Sequence, residues 1–170
     1  EIKLIIAGEF YDDKKEYTDM INDLGIADNI IMKSDFIPAD KVKSYFCASD
    51  MITQTYRTAT QSGVTQIAYS FDRPMLVTDV GGLAEIVPNN KVGYVTSQNP
   101  TSIADAIVDF YTNNKEAEFT INTAAEKKRF SWGSFVNGIE HICCDGSTYC
   151  ECERNSSYRC GTNRQWRFCK

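Results

Sequence analysis

Short apolar runs alternate with longer segments in which apolar residues recur at helical spacing. Leu4, Ile5 and Ile6 form one such run, which ends at Gly8. Runs of this length, rich in large apolar residues and bounded by turn residues, are typical of strands buried on both faces. We predict strands at residues 3–7, 30–32, 51–53, 74–78 and 93–95.

The segments between these runs have the pattern of amphipathic helices. Pro38 is suited to the start of a helix, and Asp40 near that start complements the helix dipole. After Pro100, either Thr101 or Ser102 is the expected N-cap of a later helix. We predict helices at residues 11–24, 39–48, 62–71, 101–111, 116–129 and 132–142. Repeated strand–helix–strand spacing predicts an α/β fold with a doubly wound parallel sheet, which binds ligands at the carboxyl ends of its strands.

Composition limits the classes of function. The 170 residues carry a net charge of −5, and their pI is about 4.9. An acidic chain lacks the extended basic surface that nucleic acids require, so we expect no nucleic-acid partner. No apolar run reaches the roughly 20 residues of a membrane span, and the first residues lack the regions of a signal peptide. These features favour a cytoplasmic protein.

The chain changes character after residue 142. Residues 143–170 contain no Ala, Val, Leu, Ile or Met, yet they hold six of the seven cysteines. A disulfide-bonded appendage and a zinc site are two interpretations, although Cys150 and Cys152 do not have the spacing of a zinc finger. The simplest interpretation is one domain at residues 1–142 and an irregular tail at 143–170 that is disordered or aberrant. The seventh cysteine, Cys47, is expected to be a small core residue.

One stretch carries a specific resemblance. Residues 58–87, TATQSGVTQIAYSFDRPMLVTDVGGLAEIV, combine a polar helix start, a buried strand and a glycine turn, and RFSWGSFVNGIEHI follows at residues 129–142. This pattern resembles the C-terminal domain of GT-B glycosyltransferases of the family 4 type. The resemblance implies a Rossmann-like, nucleotide-sugar-binding domain, with an N-terminal acceptor domain absent from these residues.

The resemblance also implies a reaction. The parent protein would transfer a hexosyl group, with retention, from a nucleotide-diphosphate sugar to a glycan or lipid-linked acceptor, and peripheral membrane association of the parent would suit such an acceptor. No cofactor and no metal are implied. The chain alone would be inactive. Two alternatives stay open, which are a sugar-nucleotide epimerase of the same fold and a non-catalytic binding or assembly module.

Several residues are candidates for the site. A helix that begins near Ser62 presents unpaired N–H groups to a diphosphate; the competing interpretation is that Ser62 and Gly63 only cap the helix. In the family, two glutamates with seven residues between them lie in this region, but this chain has Thr58 and Gln66 there. Catalytic residues are therefore unassigned, with Thr58 and Gln61 as weak candidates. The expected donor-binding residues are Phe36, Ile37, Ser62, Gly63, Val64, Gln66, Gly81 and Gly82.

Other polar or loop residues have simpler interpretations. Glu85 suits the first turn of a short helix, where the dipole favours a carboxylate. His141 is the only histidine, and its place on the closing helix favours a surface or packing role over general-base chemistry. Phe36 and Ile37 follow a predicted strand where relatives place the loop that contacts the base. Core positions for both are the competing interpretation.

Overall fold

The computed structural model of the protein describes residues 2–10, 13–144, 159–160 and 164–165, with side chains up to residue 139. The strands are β1 (Leu4–Ala7), β2 (Ile30–Lys33), β3 (Ile52–Gln54), β4 (Met75–Thr78), β5 (Gly93–Thr96), β6 (Arg159–Cys160) and β7 (Arg164–Gln165). The helices are α1 (Lys14–Asp23), α2 (Ala39–Ala48), α3 (Gly63–Ser70), α4 (Leu83–Ile86), α5 (Pro100–Thr112), α6 (Glu116–Glu126) and α7 (Trp132–Cys144). Short 3-10 helices occupy Ala27–Asn29 and Lys127–Phe130. Strands and helices alternate from β1 to α5, which confirms the predicted α/β fold.

The parallel strands form two sheets. In one sheet β1 pairs with β2, and Ile5 lies opposite Ile31. In the other the order is β3-β4-β5, with Met75 opposite Gly93. The parallel pairing agrees with the predicted doubly wound sheet. The strands form two sheets and not one continuous sheet, since β1 and β3 are not hydrogen-bonded to each other.

The core is built around β4. All four residues of this strand are buried. Met75 and Val77 pack in one cluster with Ala68 and Tyr69 of α3, and Leu76 packs in a second cluster with Phe110 and Phe119. Because successive side chains of a strand point to opposite faces, the two clusters cover the two faces of the sheet. Among the described residues, none that precedes Gln54 is buried.

Two local predictions were wrong. The N-cap of α5 is Asn99, whose side chain accepts a hydrogen bond of 2.9 Å from the N–H of Thr101. Pro100 therefore occupies the first helical turn, where the missing proline N–H costs nothing. Cys47 is exposed, because the face of α2 that approaches the core is the one that carries Phe46.

The C-terminal part begins with an exposed helix. Trp132 at the start of α7 is 80% exposed and makes an edge contact with Phe135. Within the predicted tail, the two-residue strands β6 and β7 form an antiparallel pair. The remaining tail positions and the side chain of His141 lie outside the described residues. No helix in the described part of the chain has the length and apolarity needed to cross a membrane.

Candidate functional site

The loop between β3 and α3 is held by the ends of the neighbouring strands. Thr78, the last residue of β4, donates its hydroxyl to the carbonyl oxygen of Tyr56 at 2.7 Å. Gln98, just after β5, donates its side-chain amide to the carbonyl oxygen of Arg57 at 2.8 Å. Both contacts lie at the carboxyl ends of parallel strands, where this class of sheet binds ligands. The backbone of residues 55–62, which we call the β3–α3 loop, is thereby fixed at that edge.

The glycine turn after β4 packs directly on the same loop. A Cβ atom added to Gly81 would lie 1.9 Å from the carbonyl oxygen of Ala59, and Gly81 has a φ of +53°. The N–H of Gly82 donates to the carbonyl oxygen of Thr60 at 2.9 Å. The close approach that these glycines permit is therefore an approach to the protein's own backbone. The amide of Gly82 is used within the chain, which argues against it as a phosphate donor.

Ser62 is the N-cap of α3. Its hydroxyl accepts a hydrogen bond of 3.2 Å from the N–H of Val64, and the hydroxyl of Tyr56 lies 3.4 Å from the same oxygen. The capping role considered from the sequence is thus present. Capping satisfies only one of the free donors of the first turn. Gly63 is exposed at the positive end of α3, with open space where a Cβ atom would lie.

The other candidates from the β3–α3 region lie on the surface. Thr58 and Gln61 are exposed residues of the β3–α3 loop. Gln66 is exposed one turn into α3, and it lines a cavity of about 430 Å³ together with Trp132 and Phe135 of α7. The structure therefore brings Gln66 to one cavity with the Phe-Ser-Trp segment, residues 130–132, which leads into α7.

The two residues predicted to contact the base occupy different environments. Phe36 is 69% exposed, so the interpretation that places it in the core is wrong. Ile37 is partly buried and lines a large cavity that Val64 of α3 also lines. The structure thus brings Ile37 and Val64 to one cavity, while Phe36 is not among its lining residues.

Sequence reasoning missed several residues at this edge. Tyr56, Arg57, Thr78 and Gln98 all belong to it. Thr78 and Gln98 were recognisable in principle because each lies at or just after the carboxyl end of a predicted strand. Arg57 supplies an exposed positive charge on the β3–α3 loop.

Gln54 is a further residue that was missed. It ends β3 and is 3% exposed, and neither atom of its side-chain amide has a hydrogen-bond partner among the described residues. Strand alternation puts it on the same face as Ile52, which packs against the cluster that contains Met75 and Val77. A buried amide without a partner is costly, so Gln54 is the least satisfied polar residue at this edge.

The edge holds polar and cationic groups, and it has few features of a metal site. No group of three His, Cys, Asp or Glu side chains suited to a metal ion occurs among the residues whose side chains are described. The chemistry available is hydrogen bonding from Gly63, Ser62 and Gln66, together with the charge of Arg57. These groups are suited to an anionic ligand with hydroxyl groups.

Comparisons with known proteins agree with this reading of the fold. Residues 1–113 match the model of the family described as glycosyl transferases group 1. An uncharacterized glycosyltransferase, MJ1607 of Methanocaldococcus jannaschii, is 27% identical over 144 residues. That match covers 82% of this chain and 36% of the relative. The chain therefore spans little more than a third of that relative's length.

Solved structures give the same fold at low sequence identity. Anabaena Alr3699/HepE in complex with UDP matches with a TM-score of 0.70 at 20% identity, over 83% of this chain and 40% of that one. Sucrose-phosphate synthase from Thermosynechococcus elongatus matches with a TM-score of 0.69 at 15% identity, over 82% of this chain and 37% of that one. Because the family model covers more than half of the residues, the chain belongs to the glycosyl transferases group 1 family.

Proposed function

We propose that this chain is the nucleotide-sugar-binding part of a glycosyltransferase, and that its β3–α3 loop and the start of α3 bind the donor diphosphate. The observation that carries the proposal is the fixing of this loop by Thr78 at the end of β4, Gly82 in the turn after β4 and Gln98 just after β5. A loop held in this way presents the first N–H groups of α3 in one position. Preorganised donors are what electrostatic stabilisation of a leaving group requires.

The departing diphosphate is the group whose charge most needs stabilisation during the reaction. In glycosyl transfer the bond between the sugar C1 and the diphosphate oxygen breaks, and a bond from C1 to the acceptor oxygen forms. The leaving diphosphate gains negative charge and takes up the acceptor proton. The N–H of Gly63 and the charge of Arg57 stabilise that charge more strongly in the transition state than in the ground state, and this difference accelerates the reaction.

The nucleoside has separate contacts in this proposal. The side-chain amide of Gln66 offers both a donor and an acceptor to the ribose hydroxyls. Phe36 and Ile37 remain the candidates for the base. A UDP-bound relative of the same fold makes a uridine nucleotide the first ligand to test.

We also propose that the parent protein transfers a hexosyl group, with retention, to a glycan or lipid-linked acceptor. The relatives that share the fold are much longer than this chain. We expect the acceptor site to lie on an N-terminal domain outside these residues, and we expect the 170 residues alone to bind donor without transferring sugar. Thr58 and Gln61 stay the weak candidates for a catalytic contact.

A non-catalytic nucleotide-sugar-binding module is the second candidate function. The observation that favours it is the absence of carboxylates at Thr58 and Gln66, where the family has glutamates. The two candidates differ in what the parent protein does with a bound donor. Sugar transfer by the parent supports the enzyme, whereas donor binding with neither transfer nor hydrolysis supports the module.

Calorimetric titration of the 170-residue protein with UDP, GDP and ADP tests the binding step. We expect selective binding of one nucleotide and weaker binding by the Gln66→Ala variant. Asn122→Ala is the matched control, because Asn122 is an amide side chain on α6 that bonds to the carbonyl oxygen of Lys91, away from α3. Equal affinity in the wild type and the Gln66→Ala variant would remove Gln66 from the donor site, and binding of no nucleotide would contradict the proposal for this chain.

A further inference from the structure

Asp79 places an exposed carboxylate at the carboxyl end of β4. It directly follows Thr78, the last residue of that strand. Within the described part of the chain, no hydrogen bond or ion pair involves the Asp79 carboxylate. Because ligands of a parallel sheet bind at the carboxyl ends of its strands, this carboxylate is available to one.

The backbone around Asp79 is held in a tight turn. The N–H of Asp79 donates to the carbonyl oxygen of Thr96, the last residue of β5, at 2.8 Å. The N–H of Val80 donates to the carbonyl oxygen of Thr78 at 2.9 Å, which closes a three-residue turn with Asp79 at its centre. The backbone of Asp79 is therefore fixed, and its side chain projects from a defined position.

The residues on both sides of Asp79 contact the β3–α3 loop. On one side the hydroxyl of Thr78 donates to the carbonyl oxygen of Tyr56 at 2.7 Å. On the other side the N–H of Gly82 donates to the carbonyl oxygen of Thr60 at 2.9 Å. Asp79 therefore lies beside the part of the loop that precedes the start of α3.

The other carboxylates that follow strands belong to a different sheet. Glu9 and Asp35 come after β1 and β2, which pair with each other and not with β4. Asp79 is the only Asp or Glu among the residues that directly follow β3, β4 and β5, which are residues 55–62, 79–82 and 97–99. It is therefore the carboxylate that the fold joins to the proposed diphosphate loop.

The proposed donor contacts indicate the direction in which the transferred sugar extends. In that arrangement the diphosphate lies at the N–H of Gly63, and the ribose lies at Gln66, about 4.5 Å further along the axis of α3. The diphosphate joins the ribose to the sugar. In an extended donor the sugar therefore lies on the side of the diphosphate away from Gln66, over the β3–α3 loop, and Asp79 lies beside that loop.

We propose that the Asp79 carboxylate accepts hydrogen bonds from hydroxyl groups of the transferred sugar and selects a neutral sugar over one that carries a carboxylate. This inference rests on the proposed donor site and deepens it by naming the class of sugar. The two oxygens of a carboxylate can each accept a bond from a hydroxyl group. A uronosyl sugar would bring a second negative charge to the same place, and the repulsion makes it the weaker ligand.

Asp79 supplies a charged acceptor to a site whose loop and helix start have none. Residues 55–66 contain neither Asp nor Glu. Hydrogen bonds to a charged acceptor are stronger than those to a neutral one, so a carboxylate on the adjacent turn adds affinity for sugar hydroxyls. The loop after β3 and the turn after β4 thus have different roles, because the first holds the phosphates and the second holds the sugar.

Calorimetric titration of the 170-residue protein with UDP, UDP-glucose and UDP-glucuronate tests this inference. The two sugar nucleotides differ only at C6, where glucuronate has a carboxylate, so the ratio of their affinities reports on the sugar contact. We expect the wild type to bind UDP-glucose about tenfold more tightly than UDP-glucuronate. Asp79→Asn should reduce that ratio to about twofold or less and leave UDP affinity within about twofold, because only the sugar loses its charged acceptor.

Asp35→Asn is the matched control. It removes an exposed carboxylate that follows β2 in the other sheet, and it changes the net charge by the same amount. We expect this control to keep the wild-type ratio. Asp79→Lys is a second variant of the proposed position and should reverse the preference, since its ammonium group attracts the glucuronate carboxylate. Thermal unfolding checks that every variant is folded.

The outcomes separate this inference from the proposed donor site. UDP binding with an unchanged ratio in Asp79→Asn would overturn the role of Asp79 and leave the donor site intact. An equal loss of preference in Asp35→Asn would also overturn it, since the overall charge would then explain the effect. A wild type that binds none of the three ligands would contradict the donor site itself, and this inference with it.

Discussion

The backbone N–H of Gly82 donates to the carbonyl oxygen of Thr60, so the turn after β4 and the loop after β3 are joined at the edge where a donor would bind. The neighbouring Gly81 leaves room for Ala59 in the same contact. The sequence interpretation assigned both glycines to the ligand, whereas their contacts in the structure are with the β3–α3 loop. Their influence on a ligand is therefore indirect and acts through the position of that loop.

Gly81→Ala should destabilise the protein severely. Gly81 has a φ of +53°, and the new Cβ would lie 1.9 Å from the backbone oxygen of Ala59, so both backbone strain and a clash follow. We expect a loss of about 3 kcal/mol in the free energy of unfolding, measured by urea denaturation. Gly63→Ala is the control, because nothing lies within 4 Å of its added Cβ. Similar losses in the two variants would contradict the role given to Gly81.

Substitutions of Ser62 separate helix capping from anion binding. Ser62→Ala should cost about 1 kcal/mol of stability, because the N–H of Val64 loses its acceptor. Ser62→Asp should retain the cap but weaken nucleotide binding, because its carboxylate repels a diphosphate at the same helix end. Ser62→Asn retains the cap without the charge and should bind normally. Unimpaired nucleotide binding by Ser62→Asp would place the diphosphate elsewhere.

Gln98→Ala should loosen the β3–α3 loop. It removes the amide that holds the carbonyl oxygen of Arg57, and we expect nucleotide affinity to fall by about three- to tenfold, as for one neutral hydrogen bond. Asn122→Ala is the matched control, since Asn122 donates an equivalent 2.8 Å bond to the carbonyl oxygen of Lys91 in another part of the fold. Calorimetry and hydrogen exchange of residues 55–62 provide the measurements. An equal loss of affinity in both variants would indicate a general effect on stability.

Gln54→Met should stabilise the protein. The substitution keeps a side chain of similar length and removes a buried amide whose two polar atoms have no partner among the described residues. We expect a gain of about 1 kcal/mol in the free energy of unfolding. Thr65→Val is the comparison, because Thr65 is also buried but donates its hydroxyl to the carbonyl oxygen of Ser62 at 2.5 Å, so this variant should be destabilised. A loss of stability in Gln54→Met would show that the amide is paired in solution.

The bond from Tyr94 to Asp109 should make stability depend on pH in acid. The Tyr94 hydroxyl donates to the carboxylate at 2.5 Å, and this bond, together with that from Asn113, holds the pKa of Asp109 below its usual value. A carboxyl with a lowered pKa stabilises the folded state above the unfolded pKa of about 4, and that contribution is lost as the pH falls through the folded pKa. Tyr94→Phe should lower the Tm at pH 7 by about 2–4 °C and flatten this acid dependence.

The comparison for Tyr94→Phe is Asp109→Asn, which removes the titrating carboxyl and keeps an acceptor for the tyrosine hydroxyl. Thermal unfolding followed by circular dichroism between pH 2.5 and pH 7 measures both variants. We expect each to show a shallower fall in Tm with acid than the wild type. A Tyr94→Phe variant whose acid dependence matches that of the wild type would show that Tyr94 does not set the pKa of Asp109.

The order and type of the elements could be predicted from the sequence because apolar periodicity is a local signal. Helix α2 begins and ends where it was expected, since Pro38 marks its start and the period is clear. The N-cap of α5 was misplaced, because Thr101, Ser102 and Asn99 are all chemically suitable caps. Only the position of Pro100 in the first turn decides between them.

The site was only partly predictable because its contacts join distant positions. Gln98 and Arg57 are 41 residues apart, and nothing in either local sequence indicates their bond. The exposure of individual side chains was hard to predict too, because it also depends on contacts between distant positions. Cys47 lies beside Phe46 on a short helix, yet only Phe46 packs against the core. The division of the strands into two sheets also depends on pairing partners, which periodicity does not specify.

The uneven distribution of buried residues has a consequence for synthesis on the ribosome. The side chains described as buried fall between Gln54 and Thr123, so the apolar residues of β1, β2 and α2 are synthesised before the segment that contains the described core. During that interval their apolar residues stay accessible to chaperones and to other nascent chains. Phe46 of α2 gains the cluster against which it packs only after residues 68–92 have been synthesised.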